Sequence, residues 1–256
     1  MPATSVKLGS VANQLFSRPD VNRVAVITSL HTGNPALRTL NLQLPQELVS
    51  VQYQSDARLD EVGAAHAGWF DAVLTDPFHT YNSSAHCLDV CVRLLRPGGL
   101  LLCHDCLPEP DLIENSSLDE ETQTFRGSWS GYTFAAFRDV MTAHGVAWCT
   151  LDADHGIGLA VAPPVLQAAP SSTRTPWTPT IAAEYTAAYL ADPFTMMRAV
   201  QAERWEEALG ALENGATLQH ITARFTTWTR LVPPKPRALV RLLTRIARRI
   251  ERMIGG

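Results

Sequence analysis

FDAVLTDPFHTYNSSAHCLDVCVRLLRPGGLLLCHDC, residues 70–106, holds two short apolar runs, each ending in an aspartate with a histidine close by. An amphipathic segment and a Pro-Gly-Gly turn join them. Apolar runs of this length bounded by turn residues read as buried strands. Between them, NSSAHCLDVCVRLL (82–95) places Ala85, Leu88, Cys91, Val92 and Leu95 on one helical face, behind an Asn/Ser start that can cap free amides. Strand, helix, a stop at Pro97-Gly98-Gly99 and a second strand make a βαβ unit, which calls for a parallel sheet. Ligands of such sheets sit beyond the carboxyl ends of the strands. Asp76, His79, His104 and Asp105 are therefore expected to face one crevice. Two carboxylates and two imidazoles there can hold a divalent cation or divide acid and base roles. The plainer alternative is that the aspartates cap helices or turns and the histidines are simply exposed.

The same pattern extends outward. VNRVAVIT (21–28), LVSVQYQ (48–54), VAWCTLD (146–152) and GIGLAVAP (156–163) read as further strands, and YTFAAFRDVMTAH (132–144) as a helix closed by Gly145. The expectation for residues 1–163 is a Rossmann-like α/β domain, a mostly parallel sheet with helices on both faces. A Pro/Ser/Thr-rich connector opens a second zone, 164–232, with helical patterns near 181–191, 194–213 and 217–229 suited to a lid or a dimer surface. Residues 233–256 form a third zone, an amphipathic tail with a stripe of Leu239, Leu242, Leu243, Ile246, Ile250 and Met253 among six arginines.

Composition narrows the classes. With 256 residues and 46% hydrophobic content the chain can bury one sizeable core. No 18-residue apolar run and no basic-then-apolar leader is present, so a cytoplasmic protein is expected. Five cysteines, an odd number in a chain this long, argue against a disulfide framework. Cys87, Cys91, Cys103 and Cys106 have spacings from which a four-cysteine zinc site can be imagined, although their apolar settings suit cysteine as a small hydrophobe. Of 21 basic and 25 acidic residues, seven and one fall in 235–254, leaving a formal charge of about −10 on the rest. Such a tail suits the inner face of an anionic membrane or an acidic partner. The acidic body and the lack of a groove-reading motif argue against nucleic acid.

The chain also resembles a known family. FDAVLTDPFHTY (70–81) and LRPGGLLLCHDC (95–106) are similar to the strand-four and strand-five motifs of class I S-adenosylmethionine-dependent methyltransferases, in particular the branch with macrocin- and cephalosporin-tailoring O-methyltransferases. GSWSGYTFAAF (127–137) and DADHGIGLAV (152–161) resemble later family segments, so the likeness covers roughly residues 6–161. It implies S-adenosylmethionine as cofactor, with Asp76 and Asp105 as ligands of a divalent cation such as Mg2+ and His79 or His104 as the base. Tyr81 would line the crevice, and Asp56 would meet the adenine amino group. Trp129, in a Gly/Ser-rich loop, is the aromatic candidate for substrate contact. The family's glycine-rich loop would fall at VKLGSVANQ (6–14), where only Gly9 remains. The ribose-holding acid at the end of strand two would fall at Thr28, and Phe78 stands where some relatives carry a further aspartate.

The implied activity is metal-assisted O-methylation of a hydroxyl on a sugar, glycolipid or secondary metabolite, in a chain that can form homo-oligomers. The alternative is a methyltransferase-like scaffold or binding subunit that has lost the cofactor.

Overall fold

The structure is a computed structural model that describes residues 7–30, 47–113, 118–119, 124–125, 129–165 and 177–214. In chain order its elements are helix α1 (Leu8–Phe16), strands β1 (Arg23–Ser29) and β2 (Glu47–Tyr53), α2 (Asp56–Ala65), β3 (Phe70–Asp76), α3 (Tyr81–Leu94) and β4 (Leu95–Cys103). A two-stranded ribbon, β5 (Leu118–Asp119) with β6 (Thr124–Phe125), precedes α4 (Thr133–Ala143), β7 (Ala147–Asp152) and β8 (Ile157–Val161). Then come α5 (Pro179–Ala191), α6 (Pro193–Met196), β9 (Ala199–Gln201) and α7 (Trp205–Glu213).

Seven strands form one sheet in the order β2-β1-β3-β4-β8-β7-β9. Every pairing is parallel except those of β8, which runs antiparallel to both β4 and β7. The expected Rossmann-like architecture is thus what the chain forms. Along β1, Ala25 and Ile27 enter one apolar core and Val24 and Val26 the other, because neighbouring strand residues point to opposite faces. Leu59, Leu88, Phe134 and Tyr189, from α2 to α5, cover the first face; Leu8, Val11 and Leu15 of α1 and Leu209 of α7 cover the second. Both faces are buried, which is why the strands read as continuous apolar runs.

Three expectations are corrected. VKLGSVANQ is not the glycine-rich loop expected there: Leu8–Phe16 is a helix that buries Leu8, Val11, Ala12, Leu15 and Phe16, an i, i+3, i+4, i+7, i+8 stripe. The first strand in chain order is β1, placed between β2 and β3, so Thr28 lies one residue from the end of the first strand and not of the second. The loop after β1 enters residues 31–46, outside the described residues. Finally, the helix expected over 194–213 is broken, because Ala199–Gln201 adds an edge strand to β7 before α7 begins. The described part of 164–232 accordingly packs into the same body as the first 163 residues. The expected helix at 217–229 and the tail at 237–254 lie outside the described residues.

Candidate active site

The chain leaves β1 for β2 on one side and crosses back to β3 on the other, so the sheet's topological switch lies between β1 and β3. Thr28 and Asp76 are register partners at that point, Thr28 being 7% exposed. Next to it, β4 ends at Cys103 and the chain continues into His104 and Asp105. The four residues singled out in the sequence converge there, all of them buried.

His79 Nε2 lies 3.3 Å from Asp76 Oδ1 and 3.0 Å from Asp105 Oδ2. His104 Nδ1 lies 3.3 Å from Asp105 Oδ2 and 3.8 Å from Asp76 Oδ1. One ligand atom each from Asp76, His79 and Asp105 fall within 4.8 Å of one another, the spacing of donors around a single cation. Asp105 also accepts a 2.7 Å hydrogen bond from the Ser130 hydroxyl, and it holds a left-handed backbone at φ 60°. A non-glycine residue in that region carries strain that the surrounding structure must hold in place.

A fifth charged residue, Asp154, joins the group from the β7–β8 turn, with Oδ2 3.8 Å from His104 Nε2. Nothing in the apolar or charge pattern singled it out; the signal was the polar turn DADHG between two strands that end beside the crevice.

Burial opposes charge on every member, and the pairings overcome it. Desolvation lowers the affinity of His79 for a proton, but Asp105 and Asp76 push its pKa up to about 9. His104 is likewise raised well above its ordinary value, against burial, by Asp105, Asp154 and Asp76. Despite burial, the two imidazoles hold Asp76 and Asp105 below the usual carboxylate range. Asp154 is lowered first by His104 and further by the Leu8 amide and Lys7. Without a cation, two imidazoliums therefore face three carboxylates at neutral pH.

The sign of the pH dependence follows. The pairing of His79 contributes stability that is complete below the unfolded value of 6.5 and is lost as pH rises through about 9, on the order of 3 kcal/mol. The Tm of the chelator-treated protein should fall between pH 6.5 and 9.5. Added Mn2+ should reverse the trend, because a cation competes with protons for the same groups. A flat Tm across that interval in chelator would contradict the pairing.

The remaining sequence candidates are placed as follows. The Trp129 ring centroid lies 5.5 Å from that of His79 and 6.0 Å from that of Phe78, and its indole N–H donates to the Ile113 carbonyl. Tyr81 begins α3, but its hydroxyl donates to Asp139 at 2.9 Å and its ring stacks on Trp177 with centroids 3.9 Å apart, so its polar end is engaged outside the carboxylate cluster. Asp56 is the first residue of α2, exposed, beyond the carboxyl end of β2. Gly9 sits in the first turn of α1, not in a strand-to-helix loop. The imagined zinc site is not formed among the described residues. The Cys87 and Cys91 sulfurs are 4.0 Å apart within α3, while the Cys106 thiol faces the carbonyls of Cys103 and His104. Burial raises the Cys91 and Cys103 thiols well above their ordinary values, so both stay protonated.

No protein-family model matches the chain, and neither does any curated protein. Among solved structures, an O-methyltransferase from Bacillus cereus in complex with SAH is similar at 14% identity and a TM-score of 0.43, over 63% of this chain and 84% of that one. An O-methyltransferase family protein from Burkholderia thailandensis is similar at 14% identity and a TM-score of 0.39, over 61% of this chain and 55% of that one. A "possible exported protein" from Bordetella parapertussis is similar at 19% identity and a TM-score of 0.36, over 60% and 66%. This chain thus spans less than two thirds of the length of the latter two. At these identities and TM-scores below 0.5, nothing about chemistry transfers from them.

Proposed function

We propose that the chain is an S-adenosylmethionine-dependent O-methyltransferase acting on a hydroxyl of a sugar, glycolipid or secondary metabolite, with a divalent cation at Asp76, His79 and Asp105. The observation that supports this most is the convergence of two buried carboxylates and two buried imidazoles at the carboxyl ends of β3 and β4, beside the switch between β1 and β3. The donor set fits a cation: two carboxylate oxygens and one imidazole nitrogen within 4.8 Å. The imidazole suits Mn2+ better than Mg2+, which prefers oxygen ligands throughout.

When bound, S-adenosylmethionine supplies the methyl group and the cation acidifies the acceptor hydroxyl. The residues divide the rest. Asp76, His79 and Asp105 form the ligand group. His104, once its carboxylates have a cation to face, is free to take the hydroxyl proton. Because β2 is the second strand, the ribose-holding acid expected after strand two falls to Asp56 rather than Thr28; Thr28 is left at the floor of the crevice beside Asp76. Trp129 offers a ring against which an acceptor can stack next to His79.

Transfer of labelled methyl from S-adenosylmethionine to a panel of hydroxyl acceptors tests the proposal. Turnover that needs Mn2+ and stops with chelator supports it, and none on any acceptor, with or without cation, counts against it. The second reading, a methyltransferase-like scaffold without cofactor, is favoured by one observation: His79 and His104 already pair with Asp76 and Asp105 without a cation. We further propose that the basic tail at 237–254 docks on an anionic membrane from the cytoplasmic side. Flotation with anionic vesicles, full chain against a chain ending at residue 232, checks this; equal flotation would contradict it. No helix among the described residues is long and apolar enough to cross a membrane.

A further inference from the structure

We infer that Arg198 and Arg138 form an oxyanion site, fit for a phosphate or phosphoryl group, at the β9 edge of the sheet. The site stands apart from the carboxylate cluster and does not rest on the methyl-transfer reading. Strand β9 lies four strand spacings from β3, about 19 Å.

Arg198 does not point where strand geometry would send it. Leu151 and Val200 are register partners, and both enter the second core. Extended backward, β9 would set Arg198 beside Cys149, whose side chain enters that same core. Instead Arg198 has φ 51°, and its guanidinium carbon lies 3.9 Å from the ring centroid of Trp148, a residue of the first core. This left-handed residue follows the end of α6, a place that glycine fills without strain. An arginine there bears the strain, and an outlier of that kind is a mark of functional sites.

Stacking on Trp148 holds the plane of the guanidinium but satisfies none of its N–H groups. Its Nη1 is a buried atom in no hydrogen bond. Thr150, two residues along β7 on the face of Trp148, has a fully buried hydroxyl that likewise meets no partner. The second cation comes from α4. Arg138 lies over the Tyr185 ring at 5.5 Å and follows Phe137, whose ring meets Trp148 edge-on with centroids 5.5 Å apart. Among the described residues neither arginine is within ion-pair distance of a carboxylate. Asp139, beside Arg138 in the chain, is engaged elsewhere: one of its oxygens accepts from the Tyr81 and Tyr185 hydroxyls at 2.9 and 2.5 Å. Burial and the charge of Arg138 bring the pKa of Arg198 down to about 10, so it remains protonated at neutral pH.

Two half-buried like charges without a carboxylate cost the folded chain free energy that a multivalent anion recovers. A phosphate group brings two negative charges to two guanidiniums, and its oxygens match the planar fork of N–H donors. A simple carboxylate brings one charge only.

The test is calorimetry of the full, metal-free chain in Tris chloride at constant ionic strength, with nuclear magnetic resonance of the Trp148 ring to locate the binding. Inorganic phosphate should bind and shift the Trp148 signals along one saturating curve. Phenyl phosphate shifting them equally would identify the ligand as a phosphoryl group on a larger molecule, and a response to inorganic phosphate alone would identify the free ion. Acetate should bind about tenfold more weakly or less. Arg198→Met should weaken phosphate binding about tenfold or more, and Arg138→Gln about threefold or more. The arginines of the tail are unchanged in both variants and cannot account for either difference. Trp148 signals that stay in place up to tens of millimolar phosphate overturn the inference, as does wild-type affinity in Arg198→Met or acetate binding as tightly as phosphate. If Arg198→Met does not fold, the Trp148 titration and Arg138→Gln still decide.

Discussion

Asp105→Asn is expected to abolish cation binding at the cluster and to lower methyl transfer about 100-fold or more, while the protein stays folded. Asp105 is the carboxylate nearest both imidazoles, 3.0 Å from His79 and 3.3 Å from His104 through the same oxygen. Its other oxygen accepts from Ser130. In the variant, the amide oxygen would keep the Ser130 bond, since a hydroxyl donates to a carbonyl, and the NH2 would then point at the imidazoles. A donor replaces an acceptor where a cation needs a lone pair. Asparagine tolerates the φ of 60° as well as aspartate does, so loss of function is separable from loss of fold. Calorimetry with Mn2+ and a thermal melt on the same sample check both halves. Wild-type affinity in a folded variant would remove Asp105 from the ligand group.

Gly156→Ala is the largest expected stability effect, about 3–5 kcal/mol, or a Tm lower by about 10 °C. The residue sits at φ 89°, where an L side chain is strained. A Cβ there would lie 1.9 Å from the Leu107 backbone nitrogen and 2.4 Å from the Leu107 Cβ, and backbone cannot swing aside as a long side chain can. Relief requires the β7–β8 turn to part from residues 106–107, breaking the two backbone hydrogen bonds that join them. That separation would carry His104 and Asp105 away from Asp154, so cation affinity should fall along with Tm. Gly131→Ala makes a useful comparison, because its Cβ would meet the His79 carbonyl at 2.1 Å. A thermal melt of Gly156→Ala within a degree or two of wild type would refute the packing described.

What could be read from the sequence was decided by local pattern. β3, α3 and β4 were legible because each is long, periodic and bounded by turn residues, and the positions of Asp76, His79, His104 and Asp105 follow from the rule that such strands present their carboxyl ends to a crevice. α1 was legible in principle, since Leu8, Val11, Ala12, Leu15 and Phe16 make a helical stripe, but the likeness of VKLGSVANQ to a family's glycine-rich loop hid it. That one displacement moved β1 into second place and set Thr28 in a second strand, where the chain has its first. β9 was not legible: Ala199–Gln201 is too short to show alternation and becomes a strand only because β7 offers an open edge. Asp154 was missed because a left-handed turn, which no periodicity encodes, brings its carboxylate to the Leu8 amide and near His104. Tyr81 matched a motif, but its hydroxyl belongs to Asp139, a partner 58 residues away that only the packing of α3 against α4 brings into reach.

The most direct measurement is isothermal titration of the purified protein with S-adenosylmethionine and with S-adenosylhomocysteine, each with and without Mn2+. The account predicts micromolar binding of both. It also predicts that Asp56→Ala weakens both, since the exposed carboxylate beyond β2 is assigned to the ribose. No heat of binding for either ligand up to millimolar concentration, with the cation present, would contradict the methyltransferase reading and leave the cluster as part of a cofactor-free scaffold.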